Sequence, residues 1–314
     1  MTYSLASLKS SGPTGLMFHH FHGSGHQKSE GSFSADEFGR SLDNASKVAN
    51  LLSADVFLDK ALSQKLDEAD ICCSFDDGLQ CQFDVAASVL ASKKLKAFFF
   101  VNTGPHAGHP YILEIFRIFR NQFFENKNVF FAEFDSSVET TMSETFLSAK
   151  KTFPEDYLTV YPFYTRGDRW FRYLRDEILT PEEYFKIMKL IIKIHGTSID
   201  EINKKITMSR ESITQLANQG HVVGLHSHSH PTKITRLTNE EKLSEYSLNS
   251  EYLTVYLDKA PNCMSHPNGR YDEEILKILR EMNIFVGFRD NMDLVADRST
   301  LEIRRLDSAF LPRD

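Results

Sequence analysis

The chain has 314 residues, 41% of them hydrophobic and 25% charged, with a formal net charge of −7. That composition fits a soluble globular protein with one large α/β domain or two smaller ones. It argues against a nucleic-acid partner, which needs clustered Lys and Arg, and no apolar stretch approaches the roughly 20 residues of a membrane span. Met1 to Pro13 is polar and Ser-rich with no apolar signal core, so a cytoplasmic location is expected. Cys72, Cys73, Cys81 and Cys263 form no C-x-x-C pair, and buried free thiols are expected rather than metal ligands or disulfides.

In chain order, Leu16 to His22 reads as a first strand running into a Gly-rich loop from Gly23 to Gly31. Ser34 with Glu37 three residues on has capping-box spacing and predicts a helix through Phe38, Leu42 and Val48. Ala69 to Cys73 is a short apolar run that predicts a buried strand ending in Ser74-Phe75-Asp76-Asp77-Gly78. Leu79 to Lys93 has helical spacing, and residues 96–102 predict a strand rich in Phe and Val. Alternating strand and helix argue a parallel sheet with crossover helices.

From about Pro105 to Ile206 the pattern is helical and aromatic. Phe130, Phe131 and Phe134 suggest a short extended piece there. Trp170 to Leu179 and Glu182 to Ile194 predict helices, the second started by Thr180-Pro181. Its aromatic and basic side chains, among them Phe163, Tyr164, Arg166, Arg169, Trp170, Arg172 and Arg175, suit either a helix core with charged rims or a lid that stacks sugar rings and pairs with phosphates.

Gly220 to Leu225 predicts another buried strand, running into His226-Ser227-His228-Ser229-His230-Pro231. Helices are predicted over Asn239 to Leu257 and Asp272 to Met282, with short strands at Asn262 to Met264, Ile284 to Phe288 and Leu301 to Leu306. The Asp pair and the His run thus both end strands, where parallel α/β folds collect their chemistry. One carboxylate with two imidazoles is a ligand set for a divalent ion. It suits zinc and tolerates cobalt, nickel or iron. His226 and His230 point the same way if they share a helical turn, and can also converge from a loop. His228 between them is either a further ligand or a solvent-facing residue.

These motifs resemble those of the NodB-homology polysaccharide deacetylases, carbohydrate esterase family four. The first family motif, T/S-F-D-D-G, is matched by Ser74 to Gly78, and the second, H-S/T-x-x-H, by His226, Ser227 and His230, followed by Pro231. The strand Lys96 to Asn102 and the helix from Met208 toward His221 look like the family's flanks. The resemblance covers about residues 14–104 and 207–290. It implies a distorted (β/α) barrel of the NodB type from residues 1–104 and 207–314, with residues 105–206 as an inserted helical subdomain. The family joins its first two motifs by a few tens of residues, and this chain uses about 150.

The resemblance also implies roles. Asp77, His226 and His230 would hold a divalent metal, taken as zinc, and Asp76 would be the general base for a metal-activated water. The third motif, R-P-P-Y-G, is reduced to Ser265-His266-Pro267-Asn268-Gly269, and Arg304 or Arg305 on the last strand could replace the Arg that orients the base. No Leu-x-x-His occurs near the C-terminus, so the acid that protonates the leaving amine must come from elsewhere. His19, in the family's Tyr-His position, and His266 are the catalytic candidates. His20, His22, Asn268, Arg305 and Trp170 are the candidate substrate contacts.

The expected reaction removes an acyl group, most often acetyl, from an amino sugar that is nucleotide-linked, lipid-linked or part of an oligosaccharide. A precursor of a surface polysaccharide fits the expected location. Rival readings are a hydrolase of another C–N bond (a formyl amide or cyclic ureide), a metal-retaining glycan-binding protein without turnover, and a structural metal site closed by His228.

Overall fold

The computed structural model describes residues 8, 12–29, 31–159, 164–293 and 299–313; Phe163, one of the insert's aromatics, lies outside them. β1 (Thr14–Phe18) is buried along its whole length. It stops short of the predicted strand, so His19, His20 and His22 lie in the loop that follows. α1 (Ala35–Ser46) starts on the Ser34–Glu37 capping box. β2 (Asn50–Leu51), α2 (Ala54–Leu62) and β3 (Asp70–Phe75) come next. The helix after the Asp pair contains a π-turn at Gln82–Ala86 before α3 (Ala87–Ser92), and β4 (Phe98–Val101) closes this half.

Six helices follow: α4 (Ile112–Gln122), α5 (Lys127–Thr141), α6 (Ser143–Thr152), α7 (Arg166–Tyr173), α8 (Pro181–Ile194) and α9 (Ile199–Ile206). The extended piece expected at Phe130 to Phe134 is helical. Asn126 caps α5 through Asn128 N and Val129 N, and Phe130, Phe131, Phe134 and Val138 are its buried face. Their i, i+1, i+4, i+8 spacing is a helix period. The chain then returns through α10 (Arg210–Asn218), β5 (Val222–Leu225), α11 (Asn239–Leu257), β6 (Cys263–Ser265), α12 (Glu273–Glu281), β7 (Val286–Phe288) and β8 (Arg304–Asp307).

Every strand pairing is parallel, in the order β7-β6-β5-β4-β3-β1-β8, with β2 appended to β3. A parallel bridge between Phe288 and Ile303 draws β7 toward β8, Ile303 N donating to Gly287 O at 2.9 Å. The result is a nearly closed (β/α) barrel of the NodB type. Strand alternation divides its side chains between two apolar clusters. Cys72, Phe98, Phe100, Cys263, Val286 and Phe288 fill the inside, where α2 adds Phe57 and Leu58. Leu16, Phe18, Cys73, Phe75, Phe99, Val101 and Leu225 face the surrounding helices. All four cysteines are free and buried.

Two compact units result: residues 1–111 with 206–314, which carry the barrel, and residues 112–205, which are helical. The first boundary falls after Tyr111, so the turn Gly104–Ala107 belongs with the barrel. In the helical unit Phe130, Phe134, Phe171 and Tyr184 pack edge to face.

Candidate metal centre

β3 ends at Phe75 and β5 at Leu225, so the Asp pair and His226 are the first residues past two strand C-termini in the barrel. Asp76 is in phase with Cys72 and Ser74 and continues the inward face. Asp77 (φ 75°) and Gly78 (φ 63°) then take the left-handed region and turn the chain away from β3. A Cβ on Gly78 would meet Val101 Cγ1 at 2.9 Å, so the turn needs glycine. Ser227 (φ 58°) and His230 (φ 54°) bend the second motif in the same way. Backbone strain of about 1–3 kcal/mol per such residue collects where function over-determines the geometry. Residues 226–230 form a loop, so the two histidines converge without sharing a helical turn.

Asp77 Oδ1 lies 3.5 Å from His226 Nε2 and 3.5 Å from His230 Nε2. The three ligand atoms fall within 4.8 Å of one another, and all three residues are buried. His226 Nδ1 is 2.9 Å from Ser265 O. A carbonyl can only accept, so Nδ1 carries the proton and Nε2 presents its lone pair to the site. Asp77 Oδ1 is buried without a hydrogen-bond partner among the described residues. Burial alone would raise the Asp77 carboxyl, but His226 and His230 outweigh it and hold it well below the usual carboxylate range. Burial pushes the His230 imidazole down to about 4, while Asp76 and Asp77 overcome burial and raise His226. One orphaned carboxylate oxygen facing two imidazole nitrogens, one fixed as an acceptor, is a donor set that fits a divalent cation.

Asp76 stands beside this set, its Oδ2 3.8 Å from His226 Nε2. Arg305 on β8 grips it with two hydrogen bonds, Nη1 to Oδ1 and Nη2 to Oδ2, each 2.6 Å. The remaining N–H groups go to Ser265 Oγ at 2.7 Å, Ser74 Oγ at 3.4 Å and Arg289 O, so all five donors of the guanidinium are used. Gly15 on β1 is the register partner of Arg305, and a Cβ there would lie 2.9 Å from Arg305 Cγ. Burial would raise the Asp76 carboxyl, but the Arg305 charge outweighs it and brings Asp76 down to about 2. The guanidinium thus reaches Asp76 from β8, the last strand. Ser265, small where the family has Arg, bonds both Arg305 and Asp76 Oδ2.

The other expected site residues divide clearly. His19 Nε2 is 4.0 Å from Asp76 Oδ2 and partly exposed, and the His20 ring stacks on it at 5.8 Å. His22 bonds Ser32 Oγ at 2.9 Å and lies 4.0 Å from Glu37, so its ring is engaged with the loop and α1. His266 is fully buried, donates from Nε2 to Leu301 O at 2.9 Å and stacks on Tyr271. Its other ring nitrogen, Nδ1, is buried with no hydrogen-bond partner among the described residues. Arg305, expected as a substrate contact, is likewise fully buried and gives both of its Nη groups to Asp76. Asn268 is exposed in the turn Pro267–Gly269. Trp170, half-buried, donates Nε1 to Asp135 and packs on Phe146 and Phe153 within the helical unit. There Arg166 pairs with Glu155, Arg175 with Asp176, and Arg172 stacks on Tyr164, so these cations have internal partners. His228 is buried and bonds Thr103 Oγ1 through Nδ1 at 2.9 Å; it neither faces solvent nor joins the ligand cluster.

Two residues that sequence reasoning missed hold the motifs in place. Gln82, in the π-turn, donates Nε2 to Asp76 O at 2.6 Å and to His19 O at 3.0 Å. Asn249 of α11 accepts from His226 N at 2.8 Å and donates to Val101 O at 2.9 Å and Thr103 Oγ1 at 3.0 Å, tying β4 to β5 above their last ladder bonds. The signal available for both was an amide at a helix position otherwise read as core-facing.

Residues 195–286 match the polysaccharide deacetylase family; that stretch includes the second and third motifs and excludes the first. No curated protein matches the sequence. Among solved structures, IcaB from Ammonifex degensii aligns with a TM-score of 0.55 at 15% identity, over 95% of this chain and 96% of that one. The Streptococcus pyogenes deacetylase PplD in complex with acetate gives 0.53 at 13%, over 94% and 91%. The BpsB deacetylase domain from Bordetella bronchiseptica gives 0.51 at 12%, over 94% and 94%. At such identities the structural likeness establishes the fold. Fold and partial sequence match both point to deacetylase-type hydrolases as what the chain is similar to. Over residues 195–286 the chain is similar to the polysaccharide deacetylases, and its barrel is similar to theirs over nearly its whole length.

Proposed function

We propose that the protein is a metal-dependent amide hydrolase that removes an N-acyl group, acetyl first among them, from an amino sugar. One observation carries the reading: the buried Asp77–His226–His230 set lies directly beside a carboxylate, Asp76, that Arg305 keeps ionised and oriented. A ligand set alone needs no such neighbour. A divalent ion held by the three ligands, zinc the first candidate, would supply Lewis acidity and make water nucleophilic at neutral pH.

The chain's own groups do the rest. Asp76 takes a proton from the attacking water as its oxygen bonds the acyl carbon. Arg305 and Ser265 hold the carboxylate in place with three hydrogen bonds, two on Oδ2 and one on Oδ1, leaving acceptor capacity on Oδ1. When the C–N bond breaks, the nitrogen takes the electron pair and a proton, and His19, 4.0 Å from Asp76 Oδ2, is placed to give that proton. The products are a free amine and a carboxylate.

The four free, buried thiols support an intracellular setting, and with it a precursor of a surface glycan as substrate. No helix of the described residues is long and apolar enough to cross a membrane. A second reading, metal-retaining glycan binding without turnover, draws on the last strand Arg304–Asp307, which carries no histidine where the family has its acid. The deciding experiment loads purified protein with zinc, measures metal per chain, and follows amine release from N-acetylglucosamine oligosaccharides. One ion per chain with steady release supports the hydrolase. One ion without release leaves the binding reading. Full metal in the His226→Ala/His230→Ala protein would remove the ligand assignment itself.

A further inference from the structure

β4 brings one more polar side chain to the mouth of the barrel. Phe98 and Phe100 belong to the inner apolar cluster. Val101 belongs to the outer one, and Thr103 Oγ1 bonds Asn249 of α11 on the outer side. Asn102 lies between Val101 and Thr103 and in phase with Phe98 and Phe100, so alternation places it on the inner face. The β4–β5 register pairs Phe98 with Val222 through Val101 with Leu225. One residue further, Asn102 stands opposite His226.

Asn102 is 1% exposed, and neither Nδ2 nor Oδ1 has a hydrogen-bond partner among the described residues. A buried carboxamide in that state opposes folding, because its desolvation is uncompensated. Nearby, Arg305, Asp76 and Ser265 bond one another throughout, whereas both polar atoms of the Asn102 side chain are left unpaired among the described residues. Buried polar atoms of native proteins are nearly always paired, so an orphaned amide beside a metal ligand points to a group that arrives from outside.

We propose that Asn102 is a substrate-contact residue whose Nδ2 donates a hydrogen bond to the carbonyl oxygen of the acyl group. Its Oδ1 then accepts from an amide N–H or a sugar hydroxyl beside it. The residue type fits the place. An aspartate opposite His226 would be another oxygen ligand for the ion, and a lysine would repel it, whereas a neutral carboxamide donates without competing for the metal. The carbonyl oxygen gains negative charge as water adds, so this hydrogen bond strengthens toward the transition state. Its loss therefore falls on kcat more than on KM.

The inference rests on the hydrolase reading, and one set of measurements separates the two. Zinc-loaded wild type and Asn102→Leu, nearly the same shape, are compared for metal content, melting temperature and hydrolysis of an N-acetylglucosamine oligosaccharide. The variant is expected to keep its ion, to melt about 2 °C or more higher because an unpaired buried amide is gone, and to lose about 10²- to 10³-fold in kcat with KM little changed. An undiminished kcat overturns the contact. So does a loss of metal or a lower melting temperature accompanying the loss of rate, since either assigns the amide to the fold. A wild type that hydrolyses nothing rejects the hydrolase reading first and the contact with it. Should Asn102→Leu not fold, that also counts against an orphaned amide, and Asn102→Ser then reports whether kcat alone responds.

Discussion

Asp76 and Arg305 are 229 positions apart in sequence and share two charge-assisted hydrogen bonds in the barrel interior. Removing one partner of such a pair leaves a buried charge uncompensated, at about 3–5 kcal/mol. Asp76→Asn alone should therefore lose turnover and also melt lower. The double change Asp76→Asn/Arg305→Gln keeps a neutral hydrogen-bonding pair. It should recover most of the melting temperature, retain zinc, and remain about 10²- to 10⁴-fold slow, because the proton acceptor is still missing. Recovery of rate in the double variant would exclude Asp76 as the base.

The carboxyl sits at about 2, below its unfolded value of about 3.9, so the folded state binds the proton less readily. The stability it contributes, of order 2 kcal/mol, is complete above about pH 4 and lost as pH falls through about 2. The Asp pair and the His226–His230 pair stood out in sequence because each motif is local. Arg305 was legible only as one of two neighbouring arginines. Choosing between them needs strand phase and the β1–β8 register that sets Arg305 against Gly15.

At the scale of elements, capping and periodicity were readable and endpoints less so. The Ser34–Glu37 box starts α1 and the Thr180–Pro181 pair starts α8, as the sequence suggests, and the structure adds a Thr180–Glu183 capping box to the second. β1 ends at Phe18, earlier than its apolar and histidine run suggests. The aromatic triplet of α5 misleads because β propensity and helix period compete over so short a window.

His221, just before β5, shows how a strand start carries a titration. Its Nδ1 accepts from Ala97 N at 3.1 Å, and burial with the nearby Lys96 charge brings it down to about 4. The unfolded chain takes up the proton near pH 6.5, the folded one only near 4, so stability falls across that interval by about 1–3 kcal/mol. His221→Gln, which keeps an acceptor and does not titrate, should flatten the fall in melting temperature between pH 6.5 and 4. An unchanged slope would place the titration elsewhere.

At the scale of the molecule, the barrel and the helical insert are two compact units, each with its own aromatic packing. We propose that the insert's contribution is to substrate recognition, while the barrel alone holds the ion. Joining Tyr111 to Ile206 by a short linker should then leave zinc content unchanged and raise KM for a small N-acetylated sugar by about tenfold or more, some 1.4 kcal/mol of binding. An unchanged KM would reject that role. Faster cleavage of long polymers would show instead that the insert only obstructs an open groove.

The account's central claim is that one ion on Asp77, His226 and His230 enables amide hydrolysis beside Asp76. It is tested most directly by titrating zinc into metal-free protein while following amine release from an N-acetylglucosamine oligosaccharide. The rate should rise in proportion to bound zinc and level off at one ion per chain, with no rise in His230→Ala. Equal release by the metal-free protein, or none from protein carrying one ion per chain, would contradict it.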